Sequence, residues 1–110
     1  MGIDLYLLPQ DGKHEDEVGA CSRNLASEID TLIELGKGTL VSFVSGDDDC
    51  KYHDPAKLLT AVEKTIKLAS ALDDSAFVVD KQACIDELEA LREPLQKAVK
   101  YKVKVCVNIS

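Results

Sequence analysis

The alternation of apolar and polar residues predicts three β-strands in this chain. Side chains alternate between two faces in the segments 2–8, 39–45 and 101–109. The second segment is apolar on both faces, so we expect it to lie centrally in a sheet. The last segment alternates most strictly, and its less apolar positions are Lys102, Lys104, Cys106 and Asn108. It is therefore expected to be an edge strand with one face in water.

Between these segments, the chain shows the spacing of apolar residues that is typical of helices. Apolar residues spaced three and four apart predict helices at 15–35, 55–72 and 80–98. Their ends carry capping signals, which are Gly36, Pro55 and Asp80. Pro94 lacks an amide hydrogen, so the third helix is expected either to kink there or to restart with Pro94 in its first turn.

The predicted order of elements is β-α-β-α-α-β, within a single domain that spans residues 1–110. Right-handed crossovers in one direction place the helices on one face of the sheet, and the wet face of the last strand agrees with this arrangement. We therefore predict a two-layer α/β sandwich with a small three-stranded sheet. The short apolar run at 76–79 is interpreted as a linker, with a fourth short strand as the alternative.

Composition is that of a globular domain: of 110 residues, 45% are hydrophobic and 30% are charged. No apolar run approaches the ~20 residues that cross a bilayer, and the first residues lack the basic start of a secretory signal. We therefore expect a soluble protein of the cytoplasm. The cysteines form no C-x-x-C pair and are expected to be reduced; they are Cys21, Cys50, Cys84 and Cys106.

The net charge of −7 is distributed unevenly along the chain. Residues 1–55 contain four Lys or Arg and twelve Asp or Glu, a balance of −8, whereas residues 56–110 contain nine and eight, a balance of +1. A negative field repels nucleic-acid phosphates and anionic lipids, and it attracts basic proteins. Nucleic acid and membranes are therefore disfavoured as partners, and a basic protein is favoured.

Residues that can carry chemistry are concentrated at 46–55. Carboxylates, a thiol, a phenol and an imidazole occur together there, in Asp47, Asp48, Asp49, Cys50, Tyr52 and His53. The spacing is poor for calcium and for zinc, so a solvated turn is favoured over a metal site. Asp54 and Pro55 are interpreted as the cap and first residue of the next helix. Catalysis by Cys50 is disfavoured, because nearby aspartates would raise the pKa of its thiol.

Three other groups of residues have ordinary structural explanations. His14 is followed by three acidic residues that the dipole of a helix explains. The Gly-Lys-Gly-Thr segment at 36–39 is interpreted as a cap and turn, because a phosphate loop follows a strand and this one precedes it. A lysine patch either contacts an anion or solvates a sheet edge; its members are Lys97, Lys100, Lys102 and Lys104. We expect no cofactor, no bound metal, no catalytic residue and no enzymatic activity.

In size, acidity, intracellular character and three-stranded α/β layout, the chain resembles the small bacterial immunity proteins that neutralise a cognate toxin, including the barstar-like type. The resemblance spans the whole chain and implies a protein that occludes a cationic active site. Carboxylates would supply the opposite charge, and Tyr52 would be an aromatic anchor. The expected contact residues are Asp47, Asp48, Asp49, Tyr52, His53 and Asp54.

Two other functions stay open. A small homodimeric regulator or assembly subunit would use the open sheet or the kinked final helix as a symmetric interface. A metal-dependent enzyme or sensor would use the carboxylates, thiol and imidazole of residues 47–54.

Overall fold

Five short strands form one sheet in the computed structural model, which describes residues 4–46 and 50–109. They are β1 (Leu5–Pro9), β2 (Ala20–Ser22), β3 (Val44–Ser45), β4 (Tyr52–His53) and β5 (Val105–Ile109). β1 lies between β2 and β5 and is antiparallel to both. On the other side of β5, β3 pairs in parallel and β4 pairs antiparallel. β5 is therefore the central strand.

Helices fill the connections between the strands. The α-helices among the described residues are α1 (Glu15–Val18), α2 (Arg23–Ser27), α3 (Ile29–Glu34), α4 (Pro55–Ser70), α5 (Lys81–Ala90) and α6 (Arg92–Tyr101). Single 3₁₀ turns form at Gly12–His14, Leu40–Phe43 and Asp74–Ala76. The predicted α/β class is thus confirmed, whereas the predicted three-stranded sheet and the order β-α-β-α-α-β are wrong in detail.

The two faces of the sheet differ in what covers them. Side chains on one face join the buried residues of the helices in a single core, to which β1 and β5 contribute Leu5, Leu7, Val105 and Val107. The other face carries the alternate residues, which are Tyr6, Leu8, Cys106 and Asn108, and none of these belongs to that core. An open sheet, as the sequence predicts, is therefore found, and we call this second side the open face.

Helical predictions are confirmed where capping residues are strong. α4 begins at Pro55, and α5 is capped by Asp80, whose carboxylate accepts a hydrogen bond from the amide of Ala83. α6 is a separate helix from Arg92, so the chain restarts with Pro94 in the first turn. The segment 77–79 contains no strand, as the linker interpretation expects.

The single helix predicted at 15–35 is wrong, because three sites interrupt it. Gly19 is extended, with φ −65° and ψ 141°, and a Cβ there would lie 2.5 Å from the carbonyl oxygen of Glu15. Ser22 ends β2 and caps α2 by accepting a hydrogen bond from Leu25. Glu28 lies between α2 and α3, where its buried carboxylate accepts hydrogen bonds from two amides of the 77–79 linker.

The central strand predicted at 39–45 is also wrong. Its first residues form the 3₁₀ turn Leu40–Phe43, and only Val44–Ser45 pairs with the sheet. The amide of Leu40 donates to the hydroxyl of Thr65 at 2.8 Å instead of to a neighbouring strand. The backbone amide of Leu40 is therefore satisfied by a side chain on α4, and not by a neighbouring strand as the predicted strand would require.

The last strand is shorter than predicted and is central, so the prediction of an edge strand at 101–109 is wrong. Tyr101 ends α6, and Lys102 has a left-handed backbone with φ 58° that stops the helix. The lysines therefore precede the strand, and residues 105–108 are all buried. Lys102 and Lys104 alternate with apolar residues and so suggested a solvent-exposed edge strand. They belong instead to the turn between α6 and β5.

Candidate partner-binding site

The segment that follows β3 starts and finishes against the open face. The carbonyl oxygen of Gly46 accepts a hydrogen bond from Nδ2 of Asn108 at 2.8 Å. The amide of Lys51 donates to the hydroxyl of Ser45 at 3.4 Å. Asn108 is on the central strand and is only 7% exposed, so both ends of the segment are held by ordered partners. We call residues 46–51 the acidic loop.

The aspartates of the acidic loop lie outside the described residues. These are Asp47, Asp48 and Asp49, which the sequence places at the centre of the candidate site. What the structure defines is the position of the residues on either side of them. Gly46 and Cys50 are both exposed; Gly46 is bonded to Asn108 of β5, and Lys51, the residue after Cys50, is bonded to Ser45 of β3.

Tyr52 and His53 point to opposite sides of the sheet, because consecutive residues of a strand alternate. Tyr52 lies opposite Cys106 on the open face and is 39% exposed. A hydrogen bond with Cys50 is the main cause that raises the pKa of the Tyr52 phenol. Tyr52 is therefore accessible to solvent on the open face, and its role as an aromatic anchor stays a prediction.

His53 is less available than the sequence suggests. It lies opposite Val105 on the core side, and its ring meets the ring of Phe43 edge to face at 5.0 Å and 81°. The side chain is half-buried by this contact. Packing thus accounts for His53, and only a partly exposed edge of the ring can take part in binding.

Asp54 is the cap of α4, as the sequence indicates. Its carboxylate accepts a hydrogen bond from the amide of Ala56 at 3.0 Å, and Pro55 is the first helical residue. Asp54 is nevertheless exposed, so its second oxygen can accept another bond. It is adjacent to a groove of about 430 Å³ that is also lined by Val99, Lys102 and Lys104.

The lysines of that groove limit the acidic surface on one side. Lys102 and Lys104 are exposed there, whereas Lys97 lies 3.5 Å from the Glu93 carboxylate. Lys100 lies above the ring of Tyr101, 5.8 Å from its centre. The four lysines predicted as one patch are therefore divided, and two of them flank the candidate site.

Cys50 and His53 do not converge on one point. The thiol of Cys50 contacts Tyr52 and Cys106 on the open face, while the imidazole of His53 lies on the core side. Within residues 4–46 and 50–109, no three or more His, Cys, Asp or Glu side chains are grouped to hold a metal. The contacts of these two residues therefore favour neither a zinc site nor a thiol–imidazole pair.

His14 and the glycine-rich turn have structural roles. Nδ1 of His14 lies 2.9 Å from the Asp11 carboxylate, and its ring stacks on Tyr101 with centres 4.3 Å apart. Gly36 and Gly38 have φ of 94° and 84°, as a cap and turn require. The stacking of His14 on Tyr101 joins the 3₁₀ turn Gly12–His14 to α6, and the two glycines form the turn that follows α3.

Sequence reasoning missed the residues that hold the acidic loop in place. Ser45, Cys106 and Asn108 contact it from β3 and β5, and Phe43 holds the ring of His53. The strict alternation in the last strand did place Cys106 and Asn108 on one face. Nothing in the local sequence indicates that a segment about 60 residues earlier covers that face.

No protein-family model, curated protein or solved structure matches this chain. None of the helices in the described part of the chain is both long enough and apolar enough to cross a membrane.

Proposed function

We propose that this chain is a non-enzymatic binding protein that presents its acidic loop to a basic protein, as an immunity protein does when it neutralises a cognate toxin. The charge distribution supports the proposal. Residues 1–55 carry a balance of −8 from four basic and twelve acidic side chains, and three of the aspartates are consecutive in the loop. Such a field accelerates association with a cationic partner.

The observation that carries the proposal is the anchoring of both ends of the loop. Gly46 and Lys51 are held by Asn108 and Ser45, and Asn108 lies on the central strand. A binding segment with fixed ends loses less conformational freedom when a partner binds, so more of the interaction energy remains as affinity. The rest of the fold thus acts as a support for three carboxylates.

Tyr52 and Asp54 extend the proposed surface beyond the loop. Tyr52 is exposed on the open face, and aromatic residues of this kind frequently dominate the energy of an interface. Asp54 supplies a further exposed carboxylate beside the start of α4. Lys102 and Lys104 flank Asp54, so we expect the partner's basic surface to lie on the loop side of this residue.

The test is capture from the host with charge-neutralised variants. Asp47→Asn, Asp48→Asn and Asp49→Asn together remove three charges and preserve side-chain size. A matched control removes three charges elsewhere, at exposed positions outside the acidic loop, by Asp30→Asn, Glu34→Gln and Glu89→Gln. We expect the wild type and the control to capture the same basic protein, and the loop variant to lose at least about tenfold in affinity.

Two outcomes would contradict the proposal. One is equal affinity of the loop variant and the control, which would mean that net charge alone attracts the partner. The other is a captured partner whose activity remains unaffected at a one-to-one ratio, because an immunity protein inhibits stoichiometrically. A Tyr52→Ala variant further checks the aromatic anchor, with an expected loss of roughly 1–3 kcal/mol of binding free energy.

A second function, a homodimeric regulator or assembly subunit, is favoured by the open face. Tyr6 and Leu8 are half-buried there, and Tyr52 is exposed beside them on the same side of the sheet. A symmetric dimer through this face would bury all three. Light scattering distinguishes the two functions, since a dimer of this kind should persist at high salt while the complex with a basic partner should weaken.

A further inference from the structure

Two of the four cysteines meet on the open face. Cys106 lies on β5, directed to the same side as Tyr52, and is fully buried. Cys50 is the last residue of the acidic loop before Lys51, and its thiol is exposed. Tyr52, two residues after Cys50, lies directly opposite Cys106 on this face, and Cys50 is among the groups that act on the pKa of the Cys106 thiol. One member of the pair is therefore open to reagents in solution, and the other is shielded behind it.

The remaining cysteines are placed elsewhere. Cys84 is a residue of α5 and is buried in the core. Cys21 is exposed on β2, opposite Tyr6 of β1, which in turn is opposite Asn108 of β5. Cys21 is therefore more than two strand spacings from Cys106, a distance greater than about 9–10 Å. A disulfide requires Cβ atoms about 4 Å apart. Cys50 and Cys106 are thus the pair in the described part of the chain that is placed to join.

We propose that Cys50 and Cys106 form a redox site, which a low-molecular-weight disulfide oxidises to an intramolecular disulfide that bonds the end of the acidic loop to the central strand. The contacts around Cys50 support this. The amide of the next residue, Lys51, is bonded to Ser45, and Tyr52 is paired with Cys106 in the β4–β5 ladder. The backbone that follows Cys50 is therefore held beside Cys106 in the reduced protein.

The reaction takes two exchange steps. The Cys50 thiolate attacks one sulfur of the small disulfide, a mixed disulfide forms, and one thiol leaves with the electron pair of the broken bond. Cys106 then loses its proton to solvent, its sulfur attacks the sulfur of Cys50, and the second thiol leaves. The protein loses two electrons and two protons, and the small disulfide is reduced to two thiols.

The two cysteines have different roles because their surroundings differ. Burial, followed by the hydrogen bond with Cys50, raises the pKa of Cys106 to about 12, so this thiol is a poor first nucleophile. Cys50 is exposed and reacts first. Closure by Cys106 is the slower step, and the mixed disulfide at Cys50 should accumulate before the internal bond forms.

The test uses the reduced protein and oxidised glutathione, with samples quenched in acid and analysed by intact mass and peptide mapping. In the Cys21→Ser chain, which lacks the second exposed thiol, we expect a transient glutathionyl adduct at Cys50, and then a product about 2 Da lighter than the reduced chain with a Cys50–Cys106 linkage. The equilibrium constant for closure should exceed that of the same chain in denaturant by roughly tenfold or more, since the fold holds the thiols together.

Three variants give matched controls. Cys21→Ser should form the same Cys50–Cys106 linkage but lack the separate glutathionyl adduct that the exposed Cys21 thiol takes up in the wild type. Cys106→Ser should stop at the glutathionyl adduct on Cys50. Cys50→Ser changes an exposed residue, so the fold is preserved, and Cys106 should then take up no glutathione because it is buried.

Three results would overturn the proposal. In the first, the wild type stops at the mixed disulfide, as Cys106→Ser does. In the second, Cys50 pairs with Cys21. In the third, the closure constant of the folded chain is no greater than that in denaturant. None of these depends on a protein partner, so the redox site and the proposed function can fail separately.

Discussion

The part of the chain before the acidic loop and the part after it are built in different ways. Before the loop, residues 4–45 form elements of two to six residues, and the longest helix is α3. After it, residues 52–109 contain α4, α5 and α6, of 16, 10 and 10 residues. The first part carries eight acidic and three basic residues, a balance of −5, whereas the second carries nine of each and is neutral. Short elements cannot be stable alone, so the first part depends on contacts with the second.

Three contacts show this dependence. The carboxylate of Glu28 binds the amides of Val78 and Val79, and the hydroxyl of Thr31 donates to the carbonyl oxygen of Ala76 at 3.2 Å. The hydroxyl of Thr65 accepts from the amide of Leu40. In each case a polar side chain satisfies a backbone group of the other part. The part before the acidic loop is therefore shaped mainly by contacts with the part after it.

The largest effect is expected from Glu28→Ala. Glu28 is fully buried, and its removal leaves two linker amides without their acceptor, at an expected cost of about 3 kcal/mol in the free energy of unfolding. Urea unfolding measures the cost. Glu34→Ala, at the exposed end of α3, should change stability by less than about 0.5 kcal/mol. Similar losses in both variants would contradict the dependence.

Alkaline pH should weaken the junction between the two parts. Burial, and next the charge of Glu28, raise the pKa of the Cys84 thiol from 9.0 to about 11. The unfolded chain therefore releases this proton first, so the contribution is complete below pH 9.0 and is lost as pH rises toward 11. We expect a loss of roughly 2 kcal/mol. Urea unfolding of Cys84→Ala should show a shallower fall with pH, and an unchanged slope would contradict this cause.

Thr65→Val tests one contact across the two parts with a matched control on the same helix. The hydroxyl of Thr65 donates to Ala61 and accepts from Leu40, whereas that of Thr60 only donates to Ala56. We expect Thr65→Val to cost about 1.5 kcal/mol, because the amide of Leu40 loses a buried acceptor, and Thr60→Val to cost less than about 0.5 kcal/mol. Equal costs in denaturant unfolding would show that the contact with Leu40 is unimportant.

The smallest effect is a gain within the second part. Lys102 ends α6 with φ 58° and ψ 43°, a left-handed conformation that strains any residue with a Cβ. Lys102→Gly should raise the melting temperature, with a gain of roughly 0.5–1 kcal/mol after the greater freedom of glycine in the unfolded chain is offset. Lys104→Gly, at an exposed position without a positive φ, should bring no gain. A loss of stability in Lys102→Gly would contradict the strain.

The same comparison explains what the sequence could predict. α4 and α5 follow from local signals, since Asp54 and Asp80 cap them and their apolar residues repeat at helical spacing. Gly19 and Leu40 lie where helix and strand were predicted. The first is shaped by a close approach to Glu15, and the second by a bond to Thr65, 25 residues away. Local pattern is therefore reliable where elements are long, and it fails where distant side chains replace the regular hydrogen bonds.

In the candidate site too, some features follow from the local sequence and others depend on contacts between distant residues. The role of Asp54 as a cap and the exposure of Tyr52 follow from the sequence near them. The contacts of Asn108 with Gly46 and of Cys106 with Cys50 join residues far apart in the chain, and no local pattern indicates them. The structure thus adds the support of the acidic loop, which the sequence shows only as a run of charges.

The rate of association with the captured partner, measured by stopped flow at increasing salt, tests the central claim most directly. If the anchored acidic loop attracts a basic protein, the wild-type rate should fall steeply as ionic strength rises, and the combined Asp47→Asn, Asp48→Asn and Asp49→Asn variant should show a much flatter profile. The Asp30→Asn, Glu34→Gln and Glu89→Gln control should keep most of the wild-type slope. A flat wild-type profile, or identical slopes for the two triple variants, would contradict the account.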